Sequence, residues 1–463
     1  MRSAAIARYI GLFLLLLGGA NIVPLAFALS AGEASAGNYA FSAAATLFAG
    51  SGLLIISAGS RRTVDFRSTI LLLLLWWTLA PAFAAVPFWL DGWSLIDGYF
   101  EAASALTTTG ASLENSDLRD APVDLLWRAV LQWIGGITSL AVAAAIFIRP
   151  QFVGADASQP TFARGERDSY IYAVASATRA LAPIYGAATV AAFLLIVASG
   201  APIFDASVLA LSTLASGGLS PHPAGLDAYP VATRLGLLPF VLIAGANFIL
   251  FDRLVRGRRP GVDQETTVYM ALILLLSIVL WMLGGGFDSG GLFEPLFNAA
   301  SLFATNGLVI GKEPGLILAL VTVIIGGSAV STAGGLKLLR WIVIMRRTQF
   351  EIRKLVLPSA VFGPRTVTNE LGVWMHFLVF TMALGALTGV LTAAGHSLEA
   401  AAAGAVGAVA NAGPVMSLTP EGHEGYHIFE DAWVRLLLAF AMIVGRLEGV
   451  AALMLIRGAF WRG

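Results

Sequence analysis

Ten stretches of mostly apolar residues decide what this chain can fold into, because roughly 20 such residues in a helix cross the hydrocarbon core of a bilayer. They cover 7–29, 39–58, 68–90, 125–148, 170–199, 235–251, 266–283, 316–344, 371–394 and 434–456. The first is read as a span and not as a cleaved signal, since its apolar core is long and no small-residue cleavage pattern follows it. Composition agrees. Hydrophobic residues make up 57% of the chain and charged residues 12%, with a mean hydropathy of +0.81, whereas soluble domains carry about a quarter charged residues. A water-soluble fold would leave far too much apolar surface exposed, so the solvent is the bilayer. The chain contains no cysteine, which excludes a disulfide framework, a thiolate metal site and a cysteine nucleophile.

Ten spans with the N-terminus in the cytosol place both termini inside the cell and give every loop a side. On that threading 22 of the 28 Lys and Arg residues fall on the cytosolic face. Arg119, Arg128, Arg234, Lys312 and Arg435 stay outside, and Arg446 lies within the last span. Acidic residues run the other way, with Asp91, Asp97, Glu114, Asp124, Asp205, Asp227, Glu294 and Glu399 among those outside. The expected location is the cell's inner (plasma) membrane, and a negative outer face concentrates cations there.

Four segments between spans are too polar or too short to cross, and they repeat one pattern. A carboxylate opens a short run of small residues and a glycine closes it. Asp97 and Gly110, Asp205 and Gly218, and Glu294 and Gly307 are each 13 residues apart; Glu399 and Gly413 are 14 apart. The acid suits the first turn of a helix, and about nine helical residues reach only halfway across a membrane. Non-helical backbone at that depth survives only around a water-filled cavity, so four such hairpins imply one shared pore. Glycine allows the backbone to turn its carbonyls inward. The candidates to replace the water around a dehydrated cation are therefore Thr107, Thr108, Thr109 and Gly110; Ser216, Gly217 and Gly218; Thr305, Asn306 and Gly307; and Asn411, Ala412 and Gly413. This is the chemistry of a potassium filter. Close helix packing through small residues would account for one such hairpin, but not for four at a fixed spacing.

Together with Gln132-Trp-Ile-Gly-Gly136, the Gly-rich run from Gly326 to Lys337, and Gly445-Arg-Leu-Glu448, these hairpins resemble the pore-forming subunit of the Trk/Ktr/HKT potassium transporter superfamily, Trk type. The resemblance extends over residues 68–463, and the two leading spans are similar to the extra N-terminal pair of that type. It implies an all-α membrane protein: a two-helix extension (1–60), then four membrane–pore–membrane repeats (61–150, 151–260, 261–365 and 366–463) around a pseudo-fourfold pore axis. It also implies potassium-selective uptake, with potassium as cargo and no covalently bound cofactor. The implied assembly is a homodimer in lipid with a cytosolic ring of NAD- or ATP-binding regulatory subunits, and no nucleic acid. The chain departs from the family at Asn306, where threonine is common, and at Val330, where glycine is usual. A sodium- or proton-coupled transporter of the same fold is the alternative.

Span eight carries Gly326, Gly327, Gly334 and Gly335, with Ser328, Ser331 and Thr332 among them. Each glycine costs a helix about 1 kcal/mol, so the span is expected to break there. The resemblance implies an intramembrane loop beneath the filter that obstructs the ion path. Arg446 is the basic residue deep within a span, a position costly enough to signal function. Glu448 points to another face of the helix, so carbonyls freed by the break are the expected partners. Arg446 then either latches the loop or presents an electrostatic barrier to cations. Lys337 either belongs to the loop or snorkels to the cytosolic boundary. An enzymatic reading would make Ser328 or Ser331 a nucleophile and His376 its base, an intramembrane protease; it leaves the four hairpins unexplained, so no enzyme is expected. No phosphate-binding glycine loop precedes a soluble helix. Nucleotide is thus expected on a partner docking at the cytosolic loops 149–169, 252–264 and 346–369, with Arg256, Arg258 and Arg259 in the second.

Overall fold

A computed structural model describes residues 2–59, 66–114, 120–147, 170–257, 264–286, 291–357 and 370–447. All regular structure among the described residues is helical. Arg2–Ala20 (α1), Ile22–Ala31 (α2) and Ala36–Ile56 (α3) form the N-terminal extension. Glycines let α1 and α3 touch: a Cβ placed on Gly11 would lie 2.9 Å from the Gly50 carbonyl oxygen, and one on Gly50 2.9 Å from that of Gly11. Small residues at a crossing are the usual way for helices to associate in lipid. The extension is fastened to the next unit by polar contacts. The Tyr39 hydroxyl donates to Asp124 at 2.7 Å, and Asn38 donates to Asp91, a carboxyl that partial burial pushes above its usual range.

Four units follow, each built around a short helix between longer ones. The first comprises Phe66–Ala84 (α4), Val86–Leu90 (α5), Leu95–Leu106 (α6) and Pro122–Phe147 (α7). The second comprises Tyr170–Ala198 (α8), Ile203–Leu214 (α9), Val231–Gly245 (α10) and Phe248–Val255 (α11). The third has Gln264–Leu283 (α12), Phe293–Phe303 (α13), Leu316–Ile325 (α14) and Leu338–Val356 (α15). The fourth has Glu370–Ala393 (α16), Leu398–Val409 (α17) and Ala432–Arg446 (α18). The short helices α6, α9, α13 and α17 have 12, 12, 11 and 12 residues, about half a bilayer at roughly 1.5 Å per residue. Asp97, Asp205, Glu294 and Glu399 sit in their first turns, where a negative charge complements the helix dipole.

Two of the expected spans are sharply interrupted. The stretch 235–251 is two helices, α10 and α11, bent by 100°; extended backbone at Ala246 ends α10, and the Asn247 side chain accepts the Ile249 N–H to start α11. The stretch 316–344 breaks into α14 and α15 around 326–337, as the glycines predict. The last span is described as far as Leu447; its continuation, with Glu448, lies outside the described residues, as do the whole loop 149–169, Arg258, Arg259 and 358–369.

Candidate ion pathway

The four short helices end in the same backbone conformation. Thr108, Ser216, Thr305 and Asn411 have φ of 56°, 60°, 52° and 51°. Two residues further on, Gly110, Gly218 and Gly307 have φ of 73°, 66° and 71°. Left-handed φ is rare for a β-branched residue such as Thr108 or Thr305, and strain of this kind persists at functional sites, where the surroundings enforce it. Neighbouring loops close into a ring. A Cβ on Gly110 would strike the Gly217 carbonyl oxygen, and one on Gly218 that of Asn306. The Gly413 N–H donates to the Thr109 carbonyl at 2.6 Å, and Pro414 lies against Gly307. The loops therefore follow one another around an axis in chain order.

The ring brings together the thirteen residues proposed from the sequence, all buried except the partly buried Gly110 and Gly218. Their roles differ. The Thr107 hydroxyl is committed to the end of its own helix, 2.7 Å from the Ala103 carbonyl and 2.8 Å from the Thr109 hydroxyl. Asn306 donates its amide to the Thr213 carbonyl at 3.2 Å, and Asn411 donates to Thr109 Oγ1 and the Met442 carbonyl, each at 2.9 Å. The fourth loop departs from the pattern: Ala412 has φ −137° and ψ 55°, and Gly413 opens a 3₁₀ turn that runs to Leu418 instead of adopting positive φ.

Beyond the ring, side chains on the short helices grip the departing chain. Glu101 accepts the Ser112 hydroxyl at 3.0 Å and the Leu113 N–H at 2.5 Å, and Arg128 pairs with both Glu101 (3.1 Å) and Glu114 (2.8 Å). At the corresponding place in the third unit, Asn298 accepts the Ile310 N–H (2.9 Å) and donates to the Ile310 carbonyl (3.0 Å). The Gln132-to-Gly136 motif serves the same ring. Gln132 donates to the Gly217 carbonyl at 3.2 Å, Gly135 admits the Leu106 carbonyl, and Gly136 admits the Tyr185 hydroxyl and the Ala215 backbone. Gly245, Tyr269 and Ala304 repeat that last contact one unit later.

The break in the eighth span is a hairpin applied to one end of the ring. Its neck is closed by Leu336 N–H to the Ile324 carbonyl and Leu338 N–H to the Gly327 carbonyl, both at 2.9 Å. Gly326 and Gly335 there leave no room for a Cβ. The hairpin bonds directly to three filter loops: Thr332 Oγ1 to Ser216 Oγ (2.9 Å), Gly334 N–H to Thr305 Oγ1 (2.7 Å), and Gly335 N–H to the Ala410 carbonyl (3.0 Å). The corresponding Thr108 hydroxyl makes no hydrogen bond among the described residues. Arg446 donates to the Thr332 carbonyl at 2.8 Å and to Ser139 Oγ at 2.7 Å. Lys337, buried with φ 75°, donates to the Ala333 and Ser331 carbonyls, which places it in the loop. The Ser331 hydroxyl donates to the Ser328 carbonyl at 2.6 Å, a contact within the loop, and the His376 ring stacks near Phe380 on α16. Thr332, which stands inside the glycine run, is the centre of these bonds. Sequence reasoning missed Glu265, which accepts the Ala329 N–H at 2.5 Å and the Asn247 amide at 3.1 Å; it is 64 residues away from Ala329 and gives no local signal.

Half-membrane helices repeated around one axis, with left-handed backbone at their ends and a hairpin bonded beneath, define a multi-pass membrane protein with a central cation path. The chain belongs to the TrkH family of cation transport proteins, which residues 63–265 and 310–462 match. It is 28% identical to the Trk system potassium uptake protein TrkH of Salmonella typhimurium over the whole of both chains. It is 30% identical to TrkI of Halomonas elongata over 83% of this chain and 82% of that one. The crystal structure of the potassium transporter TrkH from Vibrio parahaemolyticus superposes with a TM-score of 0.86 at 26% identity, covering all of both chains.

Proposed function

We propose that this chain takes up potassium across the cell membrane through the ring of four loops, each contributed by one of the repeats 61–150, 151–260, 261–365 and 366–463. The observation that carries this reading is the shared left-handed backbone at Thr108, Ser216, Thr305 and Asn411 around one axis, since a carbonyl ring can replace the hydration shell of a potassium ion. The naming of the relatives as potassium uptake proteins supports it. No reaction is catalysed. The hairpin 326–337 is the gate, and the bonds from Arg446 to Thr332 and Ser139 favour a latch over a bare electrostatic barrier. The Trk system naming supports association with further components. We read these as a cytosolic nucleotide-binding regulatory subunit, together with a second copy of this chain in the membrane, and both termini as cytosolic. The test is tracer uptake into proteoliposomes. Gly110→Ser places a side chain against the Gly217 carbonyl and should admit sodium; wild-type protein that passes sodium as readily as potassium would refute the selectivity.

A further inference from the structure

The fourth loop places a side chain on the axis. Because the loops follow in chain order, the second loop faces the fourth across the ring. A Cβ on Gly218, in that opposite loop, would nevertheless lie 2.7 Å from Pro414 Cγ. One on Gly307 would lie 2.7 Å from Pro414 Cβ, and one on Gly110 3.5 Å from Pro414 Cδ. A single pyrrolidine ring thus lies within 3.5 Å of where a Cβ would sit on the glycines of all three other loops, and in a ring this narrow the place within reach of three sides is its centre. The residues that follow the other glycines behave differently: Ala111, Leu219 and Leu308 turn into the apolar core. Pro414 lies at the end of the path opposite the gate hairpin, which bonds at Ser216, Thr305 and Ala410.

We propose that Pro414 is an outer plug of the pore and that ions pass only when the fourth loop carries it off the axis, an inference that rests on the four-loop path described above. The device is a backbone switch at Ala412 and Gly413. In the plugged state the Gly413 N–H binds the Thr109 carbonyl at 2.6 Å, which withdraws that oxygen from a passing ion. Gly413 has no Cβ and can adopt the left-handed conformation of Gly110, Gly218 and Gly307. That rotation would release Thr109 and, because proline holds its own φ fixed, swing the ring aside as a rigid body. Potassium favours the open state, since only that state offers it the Thr109 carbonyl.

The chain lacks cysteine, so single-cysteine variants report without background. Pro414→Ala should raise initial rubidium uptake into proteoliposomes several-fold. Pro414→Cys should lose uptake when a cationic methanethiosulfonate is added outside, and external potassium should alter the rate of that block. Ser417→Cys, exposed on the same turn, should be labelled with uptake retained. Correctly folded Pro414→Ala with uptake at or below the wild-type rate, or Pro414→Cys labelled to completion without loss of uptake, overturns the plug. Should Gly110→Ser alter selectivity while both Pro414 variants behave as wild type, the plug alone fails; should Gly110→Ser change nothing either, the four-loop path itself fails.

Discussion

The first and fourth hairpins begin alike and end differently. Ser94 and Ser397 cap their short helices, each helix has 12 residues, and Thr108 and Asn411 turn left-handed at equal distances from those caps. Beyond that point Gly110 takes positive φ and Gly413 does not. The difference lies in what holds the exit. In the first hairpin Glu101 grips Ser112 and Leu113, and Arg128 holds Glu101. In the fourth the matching position is Gly404, against which the Phe429 ring packs, so no side chain there accepts the departing backbone. The glycine alone does not impose a filter conformation; each of the three that turn left-handed is followed by gripped backbone, held by Glu101 in the first hairpin, by Asn298 in the third and, in the second, where Leu209 stands at the matching position, by Ser212, which accepts the Leu219 N–H at 2.7 Å.

Removing the grip should therefore make the first hairpin behave like the fourth. Arg128→Ala has the largest expected effect, because Glu101, 1% exposed, would keep a buried charge without its partner. Breaking a buried pair in this way costs about 3–5 kcal/mol. Thermal unfolding in detergent should show the loss of stability, and tracer uptake by the surviving protein should show weaker discrimination against sodium. An intact preference for potassium would mean that the exit does not shape the filter. Asn298→Leu, which copies Leu209 of the second hairpin, should cost less, about 1–3 kcal/mol for the orphaned Ile310 N–H; no charge is left behind. A stability loss as large as that of Arg128→Ala would show that charge is not the source of the difference.

The parts of this architecture that were legible in the sequence are those written as local pattern. The half-membrane helices follow from a carboxylate, a run of small residues and a glycine, and the break in the eighth span follows from its four glycines. The extra residue in the fourth spacing is also local: Glu399 stands one position nearer the start of its helix than Asp97, while Ser397 and Asn411 keep the register of Ser94 and Thr108. What could not be read was long-range. Tyr39 reaches Asp124 across 85 residues, Arg446 reaches Thr332 across 114, and Asn411 reaches Thr109 across 302. The fourth glycine closes its hairpin in sequence as the others do, and its different backbone shows only in the fold, in the angles at Ala412 and in the contact from Gly413 to Thr109.

The smallest effect is expected where the two hairpins are the same. The Ser94 hydroxyl accepts the Asp97 N–H at 3.1 Å and the Ser397 hydroxyl accepts the Ala400 N–H at 3.2 Å, so each satisfies one of the donors a helix start leaves open. Loss of such a cap costs about 1 kcal/mol. Ser94→Ala and Ser397→Ala should each lower stability by that amount, to the same extent in a thermal melt. Neither should alter the ratio of potassium to sodium uptake, since both caps lie a full short helix away from the ring. Asp97 also pairs with Arg435 at 2.6 Å, while Glu399, one position nearer its cap, is exposed. If Ser94→Ala proved much milder than Ser397→Ala, the Arg435 pair would be anchoring the first helix without its cap, and the divergence of the two hairpins would begin at their first turns instead of after Thr108 and Asn411.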